Sequence, residues 1–236
     1  MEMRSLVNTH GTMKIADARP TGKPKGAVIV LQEAFGLTDH IIGLTDRFAE
    51  AGFRAVAPEL FHRVADEAFS YDNFEPIMPV IQSMTAAEVS ADLDATIAYL
   101  NDESFGEGSI GTVGFCMGGS LSLFAGTRPG IAAAATFYGG GVVTGRFGLL
   151  SLVELAPSLR CPWLGLYGDL DVSIPVEEVE ALRVAASSAP VTTEIVRYSN
   201  AGHGFHCNDR PDHFNAEASA DAWNRTVRFF EVNLQH

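Results

Sequence analysis

The sequence predicts an α/β fold in which a mostly parallel central sheet is flanked by helices on both faces. Short apolar runs at 27–31, 53–57, 110–115, 131–138, 162–167 and 192–198 alternate with helical patterns, as when each strand is followed by a helix crossing back over the sheet. The run 27–31 is apolar at every position, as in a strand covered on both faces, and does not alternate as on a half-exposed sheet. With 236 residues and 47% hydrophobic content the chain can bury one substantial core, so a single domain over 1–236 is expected.

Residues 13–16 are a weak strand candidate before a Pro/Gly/Lys turn at 20–26, which suggests a peripheral hairpin. The strand 27–31 leads into a loop, 32–37, at its C-terminal end, where ligands bind in open α/β sheets. Glu33 stands out in that loop between apolar neighbours. Asp39 can cap the next helix, in which Ile41, Ile42, Leu44, Thr45, Phe48 and Ala49 recur at helical spacing until Gly52 ends it. After the strand 53–57 comes Glu59-Leu60-Phe61-His62-Arg63, again at a strand end. The segment 64–85 contains Asp66, Glu67, Tyr71, Asp72, Pro76 and Pro79 without a regular period and reads as an excursion or lid. A helix over 86–100 follows, with Val89, Leu93, Ile97 and Leu100 on one stripe.

The next strand runs into Gly114-Phe115-Cys116-Met117-Gly118-Gly119-Ser120, a strand, sharp turn and helix start with one thiol at the tip. Glycine weakens a strand and a helix start alike, so its recurrence here marks a backbone too crowded for side chains. A thiol in that place can be ionised before attack by the helix N-terminus behind it or by a nearby cation. Gly139-Gly140-Gly141, after the strand 131–138, reads as a flexible turn without chemistry, and 146–155 as an amphipathic connector. The strand 162–167 ends in a loop holding Asp171, with Pro175 marking a helix start and 177–187 helical. The strand 192–198 ends in Gly202-His203-Gly204-Phe205, and the last helix covers 215–233. Cys116, Asp171 and His203 thus all fall in loops at strand C-termini, in the order nucleophile, acid, base.

Composition narrows the function classes. Asp and Glu outnumber Lys and Arg by 29 to 16, and the net charge of −13 discourages binding to nucleic acid or an anionic membrane. No apolar run approaches a membrane span, and the first residues lack a basic stretch followed by a hydrophobic one, so a cytoplasmic location is expected. Three cysteines without a Cys-x-x-Cys pair give neither a disulfide framework nor a thiolate zinc site, and no metal or organic cofactor is implied.

At these residues the chain resembles the dienelactone hydrolase (carboxymethylenebutenolidase) family of α/β-hydrolases, from about Gly26 to the C-terminus. The matching pieces are Gln32-Glu33-Ala34-Phe35-Gly36, Pro58-Glu59-Leu60-Phe61-His62-Arg63, the Cys116 elbow, Asp171 four residues before Pro175, Gly202-His203-Gly204-Phe205, and the terminal helix with Ala222-Trp223. The resemblance implies hydrolysis of a small, carboxylate-bearing ester or lactone by a monomer or weak homo-oligomer. By the same resemblance Cys116 is the nucleophile, His203 its base and Asp171 the residue orienting His203. Glu33 is a carboxylate near the resting thiol, and the Met117 and Ala34 N–H groups form an oxyanion hole; burial between Ala34 and Phe35 would raise the proton affinity of Glu33, so it is expected to accept the thiol proton as attack begins. Arg63 is expected to hold the substrate carboxylate, with Phe35, Tyr138 and Phe205 as further substrate contacts. The family's second carboxylate-binding arginine, four residues after the histidine, is Cys207 here, and Arg210 lies three residues further on. Thioesters, peptides or simple esters are alternative substrates for the same triad. A small-molecule-binding or redox-sensing member of the fold is the non-enzymatic alternative.

Overall fold

In a computed structural model, which describes residues 1–65 and 67–235, Glu2–Asn8 (β1) and Gly11–Ala18 (β2) form an antiparallel hairpin. Six parallel strands follow among the described residues: Ala27–Leu31 (β3), Arg54–Pro58 (β4), Ile110–Phe115 (β5), Ala133–Phe137 (β6), Trp163–Gly168 (β7) and Thr193–Tyr198 (β8). Their order across one sheet is β1-β2-β4-β3-β5-β6-β7-β8, with β2 antiparallel to β4. Strands β3 to β7 are buried at every position, because helices cover both faces. This is the α/β-hydrolase fold.

The helices are Asp39–Glu50 (α1), Ile77–Ser83 (α2), Ala86–Asp102 (α3), Met117–Gly126 (α4), Leu152–Leu155 (α5), Val176–Ala186 (α6) and Ala216–Asn233 (α7). On one face α1 meets α7, where the Phe48 ring lies 4.6 Å from Trp223 and 6.0 Å from Phe230. On the other, Arg128 just beyond α4 ties that helix to Ser90 and Asp94 of α3. No helix among the described residues is long and apolar enough to cross a membrane.

Several boundaries differ from the sequence reading for local reasons. The cap of α1 is Thr38, whose Oγ1 accepts from the Ile41 N–H, and Asp39 falls one residue inside, in the first turn where its charge suits the helix dipole. The strand expected over 131–138 contracts to β6, and Tyr138 turns out of it at φ 39°. Within 64–85 the chain forms α2, and the connector 146–155 is helical only over α5, followed by a 3₁₀ turn at Ala156–Ser158.

The chain winds from β3 outward to β4, then returns past β3 to β5 and onward to the other edge. The loops leaving β3 and β5 therefore diverge above neighbouring strands, the place where open α/β sheets form their clefts. The register brings Leu31 opposite Gly114, so the loop starting at Gln32 leaves the sheet beside the Phe115–Cys116 turn.

Candidate active site

Cys116 sits between β5 and α4 with φ 53° and ψ −113°, a conformation costly for a residue with a Cβ. Three glycines hold it there. A Cβ on Gly114 would run into the Gly118 carbonyl, one on Gly118 into the carbonyls of Leu31 and Gln32, and one on Gly119 would come within 2.6 Å of the Phe137 carbonyl oxygen. The turn is thus wedged between β3 and β6, and hydrogen bonds fix it to both: Cys116 N–H to the Phe137 carbonyl and Gly118 N–H to the Gln32 carbonyl, each 3.0 Å. The N–H groups of Met117 and Ala34 have no acceptor among the described residues, and both residues line the space above the thiol.

His203 brings its ring to the same place from the loop after β8. Its Nδ1 lies 2.6 Å from Asp171 Oδ2, and the ring is near enough to the Cys116 sulfur for the two to interact electrostatically. Nδ1–H donates to the carboxylate, which leaves Nε2 for the sulfur. Burial disfavours the imidazolium, yet the Cys116 sulfur and Asp171 prevail and raise its pKa to about 10. Burial also works against the Asp171 charge, but His203 and two hydrogen bonds from Ser173 outweigh it and hold the carboxyl below its usual range. Those bonds, Ser173 N–H at 2.9 Å and Oγ–H at 2.6 Å, both reach Asp171 Oδ1 and turn Oδ2 toward the imidazole.

Above the thiol lies a cavity of about 690 Å³. Ala34, Phe35, Cys116, Met117, Ser173 and His203 line its floor, with Phe74, Met78, Ile81, Met84, Phe147, Arg146 and Arg210 around them. Clefts of similar volume lie near Arg19 and near Arg47, but neither reaches the elbow or the imidazole. A sulfur, an imidazole oriented by a carboxylate and two N–H donors without an acceptor among the described residues, gathered under a cavity, have the chemistry to form and hydrolyse an acyl intermediate.

The model of the dienelactone hydrolase family matches residues 13–234. The chain belongs to the dienelactone hydrolase family. It is 35% identical over 237 residues to a protein of Escherichia coli K12 named "Putative carboxymethylenebutenolidase", covering 96% of this chain and 85% of that one. To the carboxymethylenebutenolidase of Rhodococcus opacus it is 30% identical, covering 88% of this chain and 81% of the other. Among solved structures, one titled as a putative dienelactone hydrolase from Klebsiella pneumoniae superposes with a TM-score of 0.86 at 32% identity, covering 97% of both chains. The protein is accordingly a carboxylic ester hydrolase of this family.

Of the residues expected at a dienelactone hydrolase-like site, the structure gathers Cys116, Asp171, His203, Met117, Ala34 and Phe35 at or beside the cavity. Arg63 is not among them. Its guanidinium forks onto the buried Asp92 of α3 at 2.9 and 2.7 Å, where Asn8 and His62 also converge, and its Nε lies 3.5 Å from Glu88. Asp66, a nearby anion in the sequence, lies outside the described residues. Arg63 therefore staples the β4 loop to α3, and the arginines on the cavity are Arg146 and Arg210. Arg210 lies over the rings of Phe35 and Tyr71, 5.4 and 5.7 Å from their centroids. Tyr138 and Phe205 are fully buried beneath the site, Tyr138 packing on the His203 ring at 5.1 Å and on Phe205 at 5.2 Å.

Glu33 is buried and held by tyrosines. Tyr71 O–H donates to Oε2 at 3.1 Å and Tyr138 O–H to Oε1 at 3.5 Å, whereas no hydrogen bond joins Glu33 to Cys116 among the described residues. Burial and the Glu33 charge push the pKa of both tyrosines up, so both stay protonated as donors. Cys207 belongs to this cluster too, its thiol pushed up to about 12 by burial and by Glu33. Cys161, buried against the Gly126 carbonyl, is likewise raised to about 12 by burial alone.

Sequence reasoning missed the roles of Ser173, Tyr71 and Arg146. Asp171 and Ser173 stand two apart, the spacing of a side chain that hydrogen-bonds its own backbone two residues on, so Ser173 had a local signal. Tyr71 and Arg146 had none, because only the folded loops bring them to the site. No group of three or more His, Cys, Asp or Glu is placed to hold a metal ion among the described residues.

Proposed function

We propose that this enzyme hydrolyses small, carboxylate-bearing esters or lactones through a thioester acyl-enzyme on Cys116. The observation that carries this reading is the alignment of the Cys116 sulfur, His203 and Asp171 under one cavity, with the 2.6 Å His203–Asp171 contact fixing the ring.

The thiolate attacks the ester carbonyl, and the oxyanion of the tetrahedral intermediate is received by the Met117 and Ala34 N–H groups, which have no other acceptor to lose among the described residues. The intermediate collapses as the C–O bond breaks, and His203 gives its Nε2 proton to the departing alkoxide. Neutral His203 then takes a proton from water as that water attacks the thioester. Collapse of the second intermediate releases the acid and restores the thiolate beside the imidazolium. Asp171 keeps the ring in the required tautomer throughout and stabilises its charged form. Glu33, which accepts from Tyr71, serves as a reserve acceptor for the thiol proton. Arg210 stands in for Arg63 as the cation that meets the substrate carboxylate, since it borders the cavity and is held there by aromatic faces.

The test is release of 4-nitrophenol from short acyl esters by Cys116→Ala and Cys161→Ala. The first should lose at least about 10⁴-fold in kcat with an unchanged circular dichroism spectrum, and the second should match the wild type. Mass spectrometry of a rapidly quenched reaction should show one acyl group on the peptide containing Cys116. Full activity of Cys116→Ala, or equal losses in both variants, would overturn the reading.

A further inference from the structure

The roof of the cavity carries information about the substrate that the triad does not. In α2, Ile77 and Val80 are buried toward the protein, while Met78 and Ile81 border the cavity on another face of the same helix, together with Phe74 before it and Met84 after it. Met78 and Phe74 are 41% and 47% exposed, so two large apolar side chains face the open space. Phe35 and Phe147 continue this surface around the thiol. At about 30 Å³ per water, a cavity of about 690 Å³ holds roughly twenty water molecules, several times what a compact lactone would displace. Large apolar surface left facing water gains free energy when a ligand covers it, and methionine adapts its shape to the ligand that does.

Resting on the hydrolytic reading above, we propose that the natural substrates are esters bearing an apolar arm of medium-chain or arylalkyl size, and that α2 and its flanks are the surface that receives it. Nothing about this arm alters the chemistry at Cys116. It acts through binding that persists into the transition state, so it appears in kcat/KM.

A series of 4-nitrophenyl esters tests this: acetate, butanoate, octanoate and 4-phenylbutanoate, with wild type, Met78→Asp and Cys116→Ala. Each methylene moved from water into such a surface is worth about fourfold, so octanoate should exceed acetate by at least about 100-fold in kcat/KM, with 4-phenylbutanoate close to octanoate. Met78 is partly exposed, so the aspartate should leave folding unaffected. It should lower kcat/KM for octanoate and 4-phenylbutanoate by at least about tenfold while acetate stays within about twofold. Rates that are flat or fall with chain length would overturn the proposal, as would equal losses on every ester in Met78→Asp. Either outcome, with Cys116→Ala inactive throughout, leaves the cysteine mechanism standing. Activity in Cys116→Ala would remove the mechanism independently of chain length.

Discussion

Beneath the substrate space, Cys116 stands on backbone wedged against backbone, whereas the space above is enclosed by side chains on irregular segments and one short helix. The floor makes its contacts through the carbonyls of Leu31, Gln32 and Phe137, which have no alternative rotamers. The roof consists of Phe74, Met78, Ile81, Phe147 and Arg146, which do. A methionine and an unbranched cation in a wall can follow the outline of a ligand. The contrast teaches that position and fit are separate requirements. Reacting atoms tolerate errors of only a fraction of an ångström, so they are set by main chain, and shape recognition is left to groups that can move. Substitutions in the roof should therefore alter which ester is accepted, and those in the floor should alter whether the enzyme folds and reacts at all.

The sharpest way to break this comparison is Gly118→Ala. The new methyl group would press into the Leu31 and Gln32 carbonyls, and the end of β3 cannot retreat without tearing the sheet. A stability loss above about 3 kcal/mol is expected from the shift in urea midpoint, with hydrolysis lost as well. Gly43→Ala is the control, since a Cβ there meets nothing within 4 Å; being inside α1, it should gain up to about 1 kcal/mol. Two indistinguishable variants would mean that the floor is not clamped.

Next in size is the division of labour between two arginines. Arg63→Ala leaves the fully buried Asp92 carboxylate, among the described residues, with Asn8 and His62, and should cost about 3 kcal/mol in thermal or urea unfolding while turnover of the folded enzyme stays near wild type. Arg210→Ala should barely alter stability but lower kcat/KM about tenfold on an acid-bearing lactone, with its neutral methyl ester little affected. The reverse pattern would return the substrate carboxylate to Arg63.

At neutral pH the smallest effect concerns what supports the floor. His206 stacks between Phe115 and Trp223, its Nδ1 paired with Ser219 Oγ at 2.8 Å, and burial, aided by Arg47 and His40, lowers its pKa from 6.5 to about 3. Between those values the unfolded chain binds a proton that the folded one does not. The stabilisation is thus complete above pH 6.5 and is lost as pH falls toward 3, at up to about 1.4 kcal/mol per pH unit. His206→Phe should flatten the dependence of unfolding free energy on pH by about one proton in that window, as measured by urea titrations at several pH values. An unchanged slope would show that His206 does not carry it.

The amino-acid sequence by itself determined the alternating strands and helices, the elbow at Cys116 and the strand-end positions of Asp171 and His203, because each follows from constraints within a few residues. Glycines at 114, 118 and 119 are needed by a cramped turn, continuous apolar runs by strands covered on both faces, and proline by a helix start. The strand order was left to the tertiary structure, and with it everything that depends on which loops become neighbours. Arg63 and Arg210 carry the same charge, and only the fold sends one to Asp92 and the other to the cavity. Likewise Tyr71 lies 38 residues from Glu33 along the chain and 3.1 Å from it in space. The physical reason is the range of the interactions. Backbone sterics act over neighbouring residues and can be read locally, whereas ion pairs, buried hydrogen bonds and cavity walls join groups that meet only after the sheet has assembled.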